Sequence, residues 1–389
     1  MDQKNMYVMF DLIKSAIFDV KIPNEKIPEL TEDDKKEIIV ESKKHDSLHL
    51  VSYGLYINGL LDPQSKFFER AQQIQATAMY RCSLIELVLE KVCTGFEDEK
   101  ISFMPLKGSV IREHYREGWL RTSSDIDILV KNDDVDRAIS FLTDKCGFTY
   151  HHKDVYDHSL FSPEGVHLEL HFNLIGDYVS DESFKVAKRV WETAELTEGY
   201  NYWYRMSDEM FYYFHITHMA KHFVTGGCGI KPFIDMLILE KMGMGNAEKR
   251  EALLVEGKLI KFEQNAKKLY KVWFWGDEHT ETTRQMQEYV LFGGVYGNKE
   301  AKIKINLNKR GGKIKYIFSR IFMPYSLMKW KYPILEKHKY LFPLYSVRRW
   351  FEFFSKERRQ RSMQEFEVCT SVSEEQANTL QACLRELGL

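Results

Sequence analysis

The segment SDIDILV, residues 124–130, constrains this chain more than any other. Read as a strand, it places Ile126, Ile128 and Val130 on one face and Asp125, Asp127 and Leu129 on the other. The two carboxylates then lie about 7 Å apart on a shared face. Like charges so placed are costly unless something positive lies between them. A divalent cation meets that need, and Mg²⁺ takes oxygen ligands while leaving positions for phosphate oxygens.

Two other segments point the same way. Upstream, the short apolar run ISFMPL (101–106) leads into Lys107-Gly108-Ser109, a predicted strand-to-helix junction. Glycine permits close backbone approach, and a helix start offers N–H groups to a phosphate. Ser109 adds a hydroxyl donor. Downstream, VHLELHF (166–172) centres Glu169 on a strand, with His167 and His171 on the same face. Placed beside 124–130, that strand brings three acids to one site, the arrangement used in two-metal phosphoryl transfer.

Around these segments the texture is mixed. Residues 1–95 carry apolar residues at helical spacing, and helices are again predicted from about 182, including 207–223 with Ser207 as N-cap and one covering 248–274. Strands are predicted at GFTYHH, HSLFS and VHLELHF, and a helix at 135–146. The fold class expected is α+β, a mixed central sheet flanked by helical regions. At 389 residues and 44% hydrophobic content, the chain can hold two or three domains with sizeable cores. Four regions are expected: a helical 1–95, a core 96–206, a helical 207–300 beside the cleft, and a basic, aromatic-rich 301–389 ending in a helix with Ser373 as N-cap.

The net charge of −2 argues against bulk polyanion binding. No apolar run reaches the ~18 residues of a membrane span. The N-terminus does not read as a signal peptide. Six scattered cysteines without a CxxC pair suit free thiols, so a cytoplasmic location is expected.

The ordered set LKGSVIREHY, LRTSSDIDILV and VHLELH resembles the bacterial family of uncharacterised nucleotidyltransferases, within the DNA polymerase β-like superfamily. FHITHMAKHF, IDMLIL and GGVYGNK with the basic tail extend the resemblance over roughly residues 45–355. It implies a polymerase β-like sheet and transfer of a nucleotide from an NTP (ATP among the candidates) to an acceptor oxygen, with Mg²⁺ or Mn²⁺. Asp125 and Asp127 match the metal-binding pair, and Glu169 matches the third acid, as metal ligand or general base. Gly108 and Ser109 match the phosphate turn, with Lys107 and Arg121 as phosphate partners. Fifteen residues separate Ser109 from Asp125, more than the superfamily usually has, and the excess is expected to loop out at REGWLRTSS.

Other residues carry competing readings. His167 and His171 could make a His–Glu–His metal site, but His171 better suits orienting a carboxylate. His215, His218 and His222 lie at helical spacing; packing beside the cleft, with Lys221 and His222 near the phosphates, is preferred to a metal cluster. Asp235 is expected as a buried, hydrogen-bonded partner of that helix. Residues 302–361 hold 17 Lys or Arg against three acids, a net of +14. That stretch suits a solvated face, an RNA groove or an anionic membrane surface. The alternatives to a nucleotidyltransferase of small molecules, sugars or proteins are a non-catalytic nucleotide- or partner-binding protein and an RNA-modifying enzyme. The acceptor, the base and the oligomeric state are not legible.

Overall fold

The computed structural model describes residues 1–294 except 24, 26, 28 and 175–178, then 325, 328, 332, 334–352 and 374–389. The described elements run α1 (Gln3–Phe18), α2 (Glu32–Lys44), α3 (Leu48–Ile57), α4 (Lys66–Asp98), β1 (Phe103–Pro105), α5 (Gly108–Ile111), β2 (Asp125–Val130), α6 (Val135–Ser140), β3 (Thr149–Lys153), β4 (Asp157–Phe161) and β5 (His167–His171). There follow α7 (Asp181–Ala187), β6 (Glu195–Leu196), β7 (Tyr204–Arg205), α8 (Asp208–Thr225), α9 (Lys231–Lys241), α10 (Ala247–Glu256), α11 (Ile260–Trp275), α12 (Glu281–Gly293), α13 (Ile334–Lys337), α14 (Phe342–Glu352) and α15 (Glu374–Glu386).

Five strands form one mixed sheet in the order β1-β2-β5-β4-β3. Only the β2–β5 pair is parallel; the other neighbours run antiparallel. One sheet face is apolar, as the alternation requires. Ile126, Ile128, Val130, Leu160, Leu168 and Leu170 pack there against Ile85, Val88, Val92 and Phe96 of α4 and Ala138 of α6. A larger core joins the amino-terminal helices to α8, α9, α11 and α12, with Phe10, Phe223, Phe233 and Trp273 fully or almost fully buried. Phe10 stacks on Trp273 with ring centroids 4.6 Å apart.

Helix starts follow side-chain capping. The Ser207 hydroxyl accepts from the Met210 N–H, and Thr31 and Asp34 form a reciprocal capping box. The region expected as one helix over 248–274 is two, α10 and α11, broken at Gly257 and Lys258. Lys258 adopts a left-handed backbone with φ 58°. Gly257 sits so close to the Tyr213 ring that a Cβ there would collide with it. The expected helix at 135–146 loosens into a π turn over Phe141–Lys145. The helix after Gly108 is a single turn, continued by a 3-10 turn at Arg112–His114. Ser373, residues 295–299 of GGVYGNK and most of the basic stretch lie outside the described residues. Among the described residues, no helix is long and apolar enough to cross a membrane.

Candidate active site

The second face of β2 and β5 carries the chemistry. Their parallel register sets Asp125 opposite His167, Asp127 opposite Glu169, and Leu129 opposite His171. Paired residues in a sheet project to the same side. All three expected acids therefore share one face, opposite the Ile and Leu residues of the core. Continuing across β4, Ser159 pairs with Glu169 and Asp157 with His171, which adds a fourth carboxylate to this face.

Two overlapping groups of potential ligand atoms result: Asp125, His167 and Glu169, and Asp127, Glu169 and His171, the atoms of each within 4.8 Å of one another. A donor set rich in carboxylate oxygens with an imidazole at each end suits a divalent cation. His215, His218 and His222 form no such group among the described residues.

Hydrogen bonds fix the centre. Asp127 is 3% exposed, and its Oδ1 accepts from Lys107 Nζ at 2.6 Å and from His171 Nε2 at 2.8 Å. Burial alone would raise its pKa, but Lys107 and His171 outweigh burial and hold it well below the usual carboxylate range. His171 also lies 3.4 Å from Glu169 Oε2. Burial opposes its charge, yet the bonds to Asp127 and Glu169 raise its pKa. Tyr156 stacks on its ring at 6.3 Å, and Lys221 Nζ stands 4.6 Å over Tyr156. Lys107 Nζ reaches to 3.9 Å of Glu169. Its pKa is raised because the neighbouring acids, Asp127 first, outweigh its burial. Asp125 differs: burial, then repulsion from Asp127, pushes it up to about 6. The His167 ring is held through Nε2, 2.8 Å from the Ser159 hydroxyl.

The turn between β1 and α5 is strained. Lys107 has φ 45° and ψ −118°, and the Leu106 N–H donates to the Asp127 carbonyl at 2.9 Å. A Cβ on Gly108 would stand 3.2 Å from the Ser123 side chain. The Ser109 hydroxyl is buried without a hydrogen-bond partner, an unusual state that a bound anion would relieve. Beside this turn lies a cavity of about 270 Å³, whose lining includes Lys107, Arg121, Asp125, His218, His222 and Lys231.

Of the expected phosphate partners, Lys107, Arg121 and His222 line this cavity, and Lys221 lies on the same helix as His222. The Arg121 guanidinium is already engaged: Nε and Nη2 donate to the two Asp235 oxygens at 2.6 and 2.7 Å, and Nη1 donates to the Thr122 carbonyl. Asp235, as expected, is buried, and it also accepts from the Tyr115 hydroxyl at 2.7 Å. His222 Nε2 lies 3.3 Å from His218 Nε2, and burial and then Lys221 push the His222 pKa down to about 4. Sequence reasoning missed Asp157, Ser159, Tyr156 and Lys231. For the first two the sequence carries a signal: Asp157, Ser159 and Phe161 alternate, and the strand starts one residue before the predicted HSLFS.

Comparison with known proteins adds a family. Residues 31–274 match the family model described as uncharacterised nucleotidyltransferase. Among solved structures, the solution structure of the antibiotic-resistance factor ANT(2'')-Ia is similar over 45% of this chain and 91% of that one, at 13% identity and a TM-score of 0.34. No curated protein matches in a sequence search.

Proposed function

The chain belongs to the uncharacterised nucleotidyltransferase family, and from that premise we propose that it moves a nucleoside monophosphate from an NTP to an acceptor hydroxyl on a sheet of the DNA polymerase β-like kind. The observation that carries this reading is the β2–β5 register, which puts Glu169 directly beside Asp127 on the face that Asp125 shares. Asp125, Asp127 and Glu169 would hold Mg²⁺ or Mn²⁺. Such a cation, when bound, neutralises phosphate charge and favours ionisation of the acceptor oxygen.

The remaining work falls to the chain. The Ser109 hydroxyl and the turn at Gly108 receive phosphate oxygens. Lys107 lies within reach of both the acids and the cavity, and adds positive charge where the leaving pyrophosphate gathers negative charge. Glu169, 28% exposed beside the buried Asp127, either completes the cation site or takes the acceptor proton. The acceptor oxygen then bonds to the α-phosphorus, the bond to the β-phosphate bridging oxygen breaks, and pyrophosphate leaves with that electron pair. His222 of α8 lines the phosphate side with Lys221 next to it on the same helix, and Arg121 acts there chiefly through its pair with Asp235.

The test is pyrophosphate release and transfer of α-labelled NTPs, with Mg²⁺ or Mn²⁺, across small-molecule, sugar, protein and RNA acceptors. Asp127→Asn should abolish transfer, with folding checked by circular dichroism. Wild-type turnover by that variant would remove the assignment. Metal-dependent NTP binding with no transfer to any acceptor would favour a non-catalytic nucleotide-binding protein.

A further inference from the structure

We propose that His167 is a nitrogen ligand of the cation site and makes that site prefer a first-row transition ion such as Mn²⁺ or Co²⁺ over Mg²⁺. The inference rests on the reading above that the acids of β2 and β5 hold a divalent cation, and it adds which ion they hold. The acid face offers two unequal seats. In the one formed by Asp127, Glu169 and His171, positive charge is already at hand. Lys107 Nζ and His171 Nε2 both donate to Asp127 Oδ1, at 2.6 and 2.8 Å, and both approach Glu169, at 3.9 and 3.4 Å. In the seat formed by Asp125, Glu169 and His167, Asp125 has no such partner: among the described residues it makes no ion pair and no side-chain hydrogen bond. The ligand atoms of these three residues lie within 4.8 Å of one another, so a cation among them compensates the carboxylate that the protein leaves unpaired.

His167 is held as a ligand is held. The parallel register sets it opposite Asp125. Its Nε2 lies 2.8 Å from the hydroxyl of Ser159, itself 4% exposed, and its ring stacks on Phe161 with centroids 4.8 Å apart and 28° between the planes. One nitrogen and one face of the ring are thus fixed, and the remaining nitrogen makes no hydrogen bond among the described residues. Metal-binding imidazoles are oriented in this manner, through a polar partner on the other nitrogen. Nitrogen then decides the ion. Mg²⁺ is satisfied by oxygen ligands in a near-ideal octahedron and gives up water reluctantly. Imidazole favours transition ions, and affinity for a site that contains nitrogen rises from Mn²⁺ to Co²⁺. Carboxylates alone leave Mg²⁺ the natural occupant; two carboxylates with one imidazole move the site toward Mn²⁺ and Co²⁺.

The experiment titrates Mn²⁺, Co²⁺ and Mg²⁺ into the full-length protein without nucleotide, by isothermal calorimetry, with the Co²⁺ absorption spectrum as a second readout. Wild type should bind Mn²⁺ and Co²⁺ more tightly than Mg²⁺. His167→Ala should lose about tenfold or more of its Mn²⁺ and Co²⁺ affinity, with a much smaller change for Mg²⁺. His167→Gln, which offers an oxygen in place of the nitrogen, should narrow the gap between Mn²⁺ and Mg²⁺ and shift the Co²⁺ absorption. An unchanged thermal midpoint without metal shows that each variant is folded. Equal affinity of wild type for Mn²⁺ and Mg²⁺, no binding of either, an unchanged Mn²⁺ affinity in His167→Ala, or an equal loss of both ions in that variant would overturn the proposal. Transfer activity separates the two readings. Transfer supported by Mg²⁺ alongside any of these results removes only the ion preference, whereas tight Mn²⁺ binding through His167 with no transfer to any acceptor removes only the transferase reading.

Discussion

Removing the carboxylate of Asp235 should unfold this protein far more readily than removing the whole ion pair. Asp235 sits on α9 and Arg121 in the loop before β2, so the pair ties the helical part to the sheet that carries the acids. Their side chains are 3% and 13% exposed. Asp235→Ala leaves the guanidinium in place with both its bonds to the carboxylate gone, at 2.6 and 2.7 Å. Stranding a buried charge in this way costs about 3–5 kcal/mol. The Tyr115 hydroxyl loses its acceptor as well, which adds about 1 kcal/mol. Against a typical total stability of about 5–15 kcal/mol, that is a large loss. The double variant Asp235→Leu with Arg121→Met should be less destabilised than Asp235→Ala, because no charge remains to be compensated. Urea denaturation followed by circular dichroism reads both. A cost under about 1 kcal/mol for Asp235→Ala, or strict additivity of the single changes in a double-mutant cycle, would refute the reasoning.

Two further expectations follow from the buried histidines. His171 holds Asp127 and approaches Glu169, so His171→Ala should weaken Mn²⁺ binding about 10–100-fold, with partial rescue in His171→Gln; titration of Mn²⁺ without nucleotide measures this, and unchanged affinity would remove the positioning role. His49 is buried with Nε2 3.0 Å from the Leu120 carbonyl, and burial above all pushes its pKa from 6.5 down to about 4. The folded chain therefore keeps this ring neutral while the unfolded chain takes up a proton. Its contribution is complete above the unfolded value of 6.5 and is lost as pH falls toward 4, by about 3 kcal/mol. Denaturation midpoints from pH 7 to 4 should fall less steeply for His49→Gln; identical slopes would contradict this.

The strand alternation at 124–130 made both the apolar back and the acidic front of β2 legible, because a period of two leaves no other arrangement once one face is buried. Ser207 announced α8 through its cap. Register was not legible. Nothing in VHLELHF says that Glu169, rather than His167, faces Asp127; that depends on how the two strands slide during tertiary packing. The Arg121–Asp235 pair joins positions 114 residues apart, and no local pattern encodes it. The break at Gly257 was hidden for a related reason. The flanking residues favour helix, and the close approach of Tyr213, a tertiary contact, requires glycine there.

The single parallel pairing in the sheet has a consequence for how the molecule assembles. Strands β3, β4 and β5 follow one another as antiparallel neighbours, so short turns suffice to bring them together early. Strand β2 meets β5 only after the intervening 131–166 have folded over, a long-range closure. That closure sets Glu169 beside Asp127, and the Lys107 ammonium lodged against Asp127 serves the finished sheet as an internal counterion.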